Sequence, residues 1–194
     1  MKTMVLRDIL RQLLRGMGVA TLLLVAACSQ QAPNYVFSPE HIEILKHSGP
    51  TVVKLGSFSA ADRAEGAAKL TARSVTLLSP YGDYPGYLKE ALRQELTEAG
   101  KLTPNAEIEI SGVMTKNDLD ASGIITGDGE LAARITVKRG GATLFDKPVV
   151  AKTTWDSSFV GAIAIPRAVA EYPRLVSEFV STLLRDPDFL SAIK

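Results

Sequence analysis

Glu130-Leu131-Ala132-Ala133-Arg134-Ile135-Thr136-Val137-Lys138-Arg139-Gly140-Gly141-Ala142 is the stretch that decides the fold. Leu131, Ala133, Ile135 and Val137 occupy every second position, with Glu130, Arg134, Thr136 and Lys138 around and between them. Successive side chains of a strand point to opposite faces, so this pattern predicts a strand with one dry and one wet face. The glycine pair then signals a tight turn into Thr143-Leu144-Phe145. Upstream, Ala106, Ile108 and Ile110 alternate with Glu107, Glu109 and Ser111 in the same way. Downstream, Val149, Ala151, Thr153 and Trp155 continue the alternation beyond Pro148, a residue confined to sheet edges and bulges. Together these strands predict an antiparallel meander with one apolar face.

That face needs a cover. Pro85 to Ala99 supplies one: Leu88, Ala91, Leu92, Leu96 and Ala99 set a helical stripe, with Glu95 at its edge. Pro85 suits the first turn and Gly100 the left-handed position after the last. A second stripe, Val169, Tyr172, Val176, Phe179 and Leu183, predicts a closing helix that Pro173 either kinks or begins. Asp186-Pro187 then opens a last helical turn. Thr51–Phe58 and Ser74–Ser79 read as strands, Ser59–Arg73 as a loop, and His41–His47 as either a helical turn or a short strand. The order ββαβββα predicts an α+β two-layer sandwich. Its sheet is mixed or antiparallel, of about five strands, with two main helices on one face.

The amino-terminal region has a different character. Lys2, Arg7, Arg11 and Arg15 face Asp8 alone, and the apolar run Val19–Ala27 has nine residues. A spanning helix needs ~20, so this is a signal segment and not an anchor. The basic stretch is long enough that Met1, Met4 or Met17 could each begin the chain. Val25-Ala26-Ala27-Cys28 resembles the lipobox of bacterial lipoproteins at all four positions. The resemblance implies cleavage between Ala27 and Cys28, a diacylglycerol on the Cys28 thiol and acylation of the new amino terminus. That covalent lipid is the one attached group expected, with no other cofactor. In Gram-negative lipoproteins an aspartate after the cysteine marks retention at the inner membrane. Ser29 therefore implies a protein lipid-anchored at the outer membrane and facing the periplasm. The chain divides into a signal peptide over 1–27, an acylated tether over 28–39 and a single domain over 40–194. Gln30, Gln31, Pro33 and Asn34 make the tether read as a flexible spacer.

Lysine plus arginine (22) nearly balance aspartate plus glutamate (21), so no basic footprint points to nucleic acid. With the one cysteine taken by lipid, the fold must rest on its core without a disulfide. The element order also resembles a group of small periplasmic domains, with Tyr87–Leu96 and Ala99-Gly100 similar to their first helix. The group includes the lipopolysaccharide-transport and curli-secretion lipoproteins and the amino-terminal domain of the Tol propeller protein. That resemblance implies adaptor work through an envelope protein partner.

Four patterns are candidates for more specific chemistry. Tyr81, Tyr84 and Tyr87, with Trp155, would make an aromatic platform for a glycan or peptide, or else staple the chain to a helix start. Ser157–Pro166 has no charged side chain, so Phe159, Val160, Ile163 and Ile165 form either a contact surface for protein or membrane or a part of the core. Within Asn117–Ile125, Asp118, Asp120 and Ser122, followed by Gly123 and Ile125, match the front of a calcium loop over 118–130, but Gly129 stands where a bidentate glutamate is required, and the alternative is a polar hairpin loop. His41 and His47 have no cysteine nearby and read as solvated surface. A Gly-x-Ser-x-Gly elbow is missing, and Asp128 with Glu130 is a pair common in surface loops. The expectation is a non-catalytic adaptor without a metal site. The alternative is a module that binds a glycan, peptidoglycan fragment or lipid.

Overall fold

The computed structural model describes residues 29–65, 70–73 and 75–194, with side chains from 63 to 65 excepted. The expected signal peptide and Cys28 lie outside the described residues. In order, the elements are β1 (Ser29–Gln31), α1 (Pro39–His47), β2 (Val53–Glu65), β3 (Leu70–Ala72) and β4 (Val75–Leu78). There follow α2 (Tyr84–Glu98), β5 (Ile108–Asp120), β6 (Thr126–Arg139), β7 (Ala142–Asp156), α3 (Gly161–Arg185) and α4 (Pro187–Ala192).

The meander forms as its alternation requires. β5, β6 and β7 pair antiparallel, and β2 joins β5 in parallel, giving the order β2-β5-β6-β7. A parallel pair needs a crossover, which α2 supplies. Leu131, Ala133, Ile135 and Val137 are all buried on the inner face. The outer face stays wet and carries cross-strand ion pairs, among them Arg134–Asp146 at 2.7 Å and Lys116–Glu130 at 3.1 Å. Thr115 is an extra residue in β5, since Met114 pairs with Ala133 and Lys116 with Ala132. That bulge changes the parity of the buried face from Ile108, Ile110 and Met114 to Asn117 and Leu119. Pro148 lies within β7, an edge strand, and the irregularity is nearer the turn, between Val137 and Lys138 of its partner.

α2 packs on β2 and β5, and α3 on β7 and β6, so the two-layer α+β sandwich is observed. Asp83 caps α2 by accepting from the Gly86 N–H at 2.6 Å. At the other end Gly100, at φ 69°, lets Lys101 N–H reach back to Leu96 O at 2.7 Å. α3 is one continuous helix through both Pro166 and Pro173. His41–His47 resolves as helix, because Pro39 opens α1 and Ile42 and Leu45 face the core.

Three expectations are corrected. The single sheet of about five strands is instead four strands plus a separate sheet, β1-β4-β3, with β1 parallel and β3 antiparallel to β4. The expected loop 59–73 supplies the far end of β2 and all of β3. The expected tether is docked throughout its described part. Ser29–Gln31 is strand, Ala32 and Tyr35 are buried, and Ala32 N–H donates to Leu78 O at 2.9 Å.

Candidate functional site

Of the three tyrosines expected as a platform, two are interior and Tyr81 is half-buried. Tyr84 and Tyr87 are buried and meet Tyr172 of α3 edge-on, with ring centroids 5.1 and 5.0 Å apart. Tyr81 meets Tyr87 at 5.2 Å in the same manner. The Tyr87 hydroxyl donates to Pro33 O at 2.7 Å, and Tyr35 N–H donates to the Tyr81 hydroxyl at 3.2 Å. These residues clasp the 29–39 segment, Tyr84 and Tyr87 from the core and Tyr81 from a half-buried position. Burial pushes the phenols of Tyr84 and Tyr87 well above the ordinary tyrosine range. Trp155 is also buried, lying over Gly127, where an added Cβ would come within 2.6 Å of the indole.

His41 is buried too, against the expectation of a solvated residue. Glu95 sits inside α2's buried stripe, not at its edge, and its Oε1 accepts from three directions. The donors are the Tyr35 hydroxyl at 2.6 Å, His41 Nδ1 at 2.8 Å and Ser38 N–H at 3.1 Å. On the other side of the ring, His41 Nε2 lies 3.0 Å from the Ser181 hydroxyl, within hydrogen-bond distance. Ser181, His41 and Glu95 thus have the connectivity of a nucleophile, base and acid. All three are nevertheless buried among α1, α2 and α3. The knot joins three helices and the amino-terminal segment. Desolvation and the Glu95 carboxylate push the Tyr35 phenol far above its ordinary value.

The calcium pattern does not assemble. Asp118 and Asp120 lie in the extended end of β5 and Ser122 is exposed just beyond it, so the first half of the pattern runs on as strand instead of turning around an ion. Asp120 Oδ1 accepts from Ser122 N–H at 2.7 Å as a local turn. Glu130 is engaged by Lys116 and Lys152. Among the described residues no group of three or more His, Cys, Asp or Glu is placed to hold a metal.

The uncharged run divides at Gly161, where α3 begins. Ile165 packs against the core, but Phe159 (76% exposed), Val160 (52%) and Ile163 (47%) stand in solvent. The β5–β6 turn lies alongside, through Ser157 N–H donating to Ile125 O at 2.7 Å. It adds Ile124 and Ile125, which are 66% and 76% exposed. Of twelve exposed large apolar side chains among the described residues, these five share one end of the domain. Arg73 holds the two loops together. Its Nε donates to Ala121 O at 2.7 Å, Nη2 to Ser158 O at 2.7 Å and Nη1 to Phe159 O at 3.1 Å. Arg73 is also the one non-glycine described residue with positive φ, 54°, a backbone state costing ~1–3 kcal/mol unless its surroundings impose it.

The amino-terminal strand enters at this same end. β4 begins at Val75, two residues after Arg73, and Ser29 of the parallel strand β1 lies opposite Thr76. From Arg73 to Thr76 the chain spans at most about 10 Å. No sequence signal placed Ser29 here, because the pairing joins residues far apart in the chain.

The architecture is thus that of a two-layer α+β domain with a mixed four-stranded sheet, a small second sheet and an apolar tip. In overall fold it is similar to a crystal structure from Xanthomonas campestris described as a DUF330-family protein. The two share 10% identity and a TM-score of 0.56 over 80% of this chain and 92% of that one. A Caulobacter crescentus protein described provisionally as a lipoprotein aligns over 78% of this chain and 93% of its own, at 13% identity and TM-score 0.44. A hypothetical protein from Chlamydia trachomatis gives 11% identity and TM-score 0.41 over 70% of this chain and 96% of that one. No family model matches the sequence, and no curated protein matches it. At 10% identity the Xanthomonas likeness is one of fold. Among the described residues no helix is long and apolar enough to cross a membrane.

Proposed function

We propose that this chain is a lipid-anchored envelope protein, acylated at Cys28, that serves as a non-catalytic accessory subunit of a transport, assembly or maintenance complex. The observation that carries the reading is the junction of sequence and structure at Cys28-Ser29. A basic segment, a short apolar run and Val25-Ala26-Ala27-Cys28 end one residue before β1. A diacylated and amino-acylated cysteine carries more than one hydrocarbon chain, enough for stable attachment where a single chain is marginal. Because Ser29–Gln31 is already in a sheet, the anchor holds the domain close to the bilayer instead of on a spacer. The wet, ion-paired outer face of β5, β6 and β7 is then open to a protein partner in the periplasm. Ser29 after the cysteine favours the outer membrane.

The test is fractionation of envelopes carrying the parent or Cys28→Ser, followed by crosslinking of the parent. The proposal expects the parent in the outer-membrane fraction with a stoichiometric protein crosslinked to it, and the variant released or held as unprocessed precursor. Membrane retention of the variant equal to the parent would refute the anchor. Recovery of only a muropeptide or lipid would refute the accessory role.

A further inference from the structure

We propose that Ile124, Ile125, Phe159, Val160 and Ile163 form a second membrane contact, seated in the bilayer surface beside the acyl chains. This rests on the acylation of Cys28 proposed above and extends it to the orientation of the domain. The β5–β6 turn and the loop leading into the first turn of α3, far apart in sequence, present large apolar side chains to solvent at one end, and Arg73 fastens them into one surface. Contiguous exposed apolar side chains mark a contact site, whereas scattered ones do not. The occupant follows from where the described chain begins. Ser29, bonded directly to Cys28, lies opposite Thr76 at this same end, and its strand leaves no slack to carry the tip away from the lipid. Acyl chains leaving here bring the membrane surface to the apolar tip before any freely diffusing partner. Aromatic and aliphatic side chains on short loops suit the boundary between headgroups and hydrocarbon.

Charges around the tip are of both signs, Arg73 and Arg167 against Asp120 and Asp156, so the contact is apolar and not electrostatic. It should therefore persist at high salt. The orientation has a consequence for reach. β6 runs 14 residues from the tip to the Gly140-Gly141 turn, about 45 Å along the strand. That turn and the neighbouring carboxyl-terminal helix would face the periplasm, away from the lipid.

The experiment uses the mature protein purified from envelopes, on vesicles of phosphatidylethanolamine and phosphatidylglycerol. Cys28 is the only cysteine and is blocked by lipid, so Ile125→Cys, Phe159→Cys and, at the far turn, Ala142→Cys each take one fluorophore. The first two positions are exposed, so their replacement leaves the core intact. The expected result is blue-shifted emission at 125 and 159, quenched by nitroxide on the lipid chains, with 142 open only to an aqueous quencher. If the protein floats with the vesicles but all three labels behave alike and aqueous, the tip contact is wrong while the anchor stands. If it does not float, the acylation reading fails and the tip contact falls with it. If 125 and 159 are aqueous on vesicles but shielded in native outer-membrane fragments, the tip binds a protein and the proposal is overturned.

Discussion

Glu95→Ala should be among the most damaging substitutions in the domain. The carboxylate is fully buried, and its Oε1 accepts from Tyr35, Ser38 and His41 at 2.6, 3.1 and 2.8 Å. Alanine leaves these donors without an acceptor in a site closed to water. A buried group stripped of its partner costs ~1–3 kcal/mol. The Ser38 amide is partly buried and can recover some hydration, so the sum falls at ~3–5 kcal/mol, the range for breaking a buried charged network. For a domain of this size each kcal/mol moves the midpoint by about 2–4 °C, which predicts a fall on the order of 10 °C by scanning calorimetry. Hydrogen exchange should show where the damage begins, with the amides of 33–38 losing protection ahead of β5, β6 and β7. Glu95→Gln keeps an oxygen for Tyr35 and Ser38 and should cost only ~1–2 kcal/mol. A midpoint for Glu95→Ala within about 2 °C of the parent, less than ~1 kcal/mol, would refute the knot as a joint between the helices and the amino-terminal segment.

Three further outcomes follow from the packing and charges. Gly127→Val places a side chain where an added Cβ already lies 2.6 Å from the Trp155 indole, and should cost ~1–3 kcal/mol by overpacking; a red shift of emission from this single tryptophan checks it. Arg73→Ala should raise exchange at 121–125 and 157–160 while lowering stability by only ~1–2 kcal/mol, and Arg73→Lys should not rescue it, since one ammonium cannot span three carbonyls on two loops. Stability should fall at both pH extremes. Hydrogen bonds from Lys116, from Arg134, and from Lys147 and backbone N–H groups hold Glu130, Asp146 and Asp186 respectively below their ordinary values, although burial opposes the shift at Asp186. The stability these acids add is present above about pH 4 and lost as pH falls through their depressed values. The raised phenols of Tyr35, Tyr84, Tyr87 and Tyr172 give the opposite sign, with full stability below about pH 10 and loss above it, so in an alkaline titration they should ionise only as the fold opens.

The layer architecture was legible because its signals are local. The alternation of Leu131 to Val137 and the Gly140-Gly141 turn define β6 and its hairpin. Asp83, Pro85 and Gly100 bound α2 with a cap, a starter and a stop. What the sequence concealed depends on contacts between distant residues. The 29–39 segment has the composition of a spacer, yet Tyr87 and Glu95 hold it from more than fifty residues away. The bulge at Thr115 leaves no compositional trace, but it turns Asn117 inward and puts Asp118 and Asp120 on the outer face of the strand. Glu95 reads as a flaw in an apolar stripe because its partners come from α1 and the tether. The uncharged run around Phe159 was visible as a contact candidate. Its union with Ile124 and Ile125 through Arg73, and the arrival of Ser29 beside them, were not.

The central claim is a domain held against a membrane by lipid on Cys28. Mass spectrometry of the amino-terminal peptide of the protein isolated from envelopes tests it most directly. The expected chain begins at Cys28 and carries a diacylglycerol on the thiol and an acyl group on the amine. A peptide that begins elsewhere, or an unmodified Cys28, would contradict it.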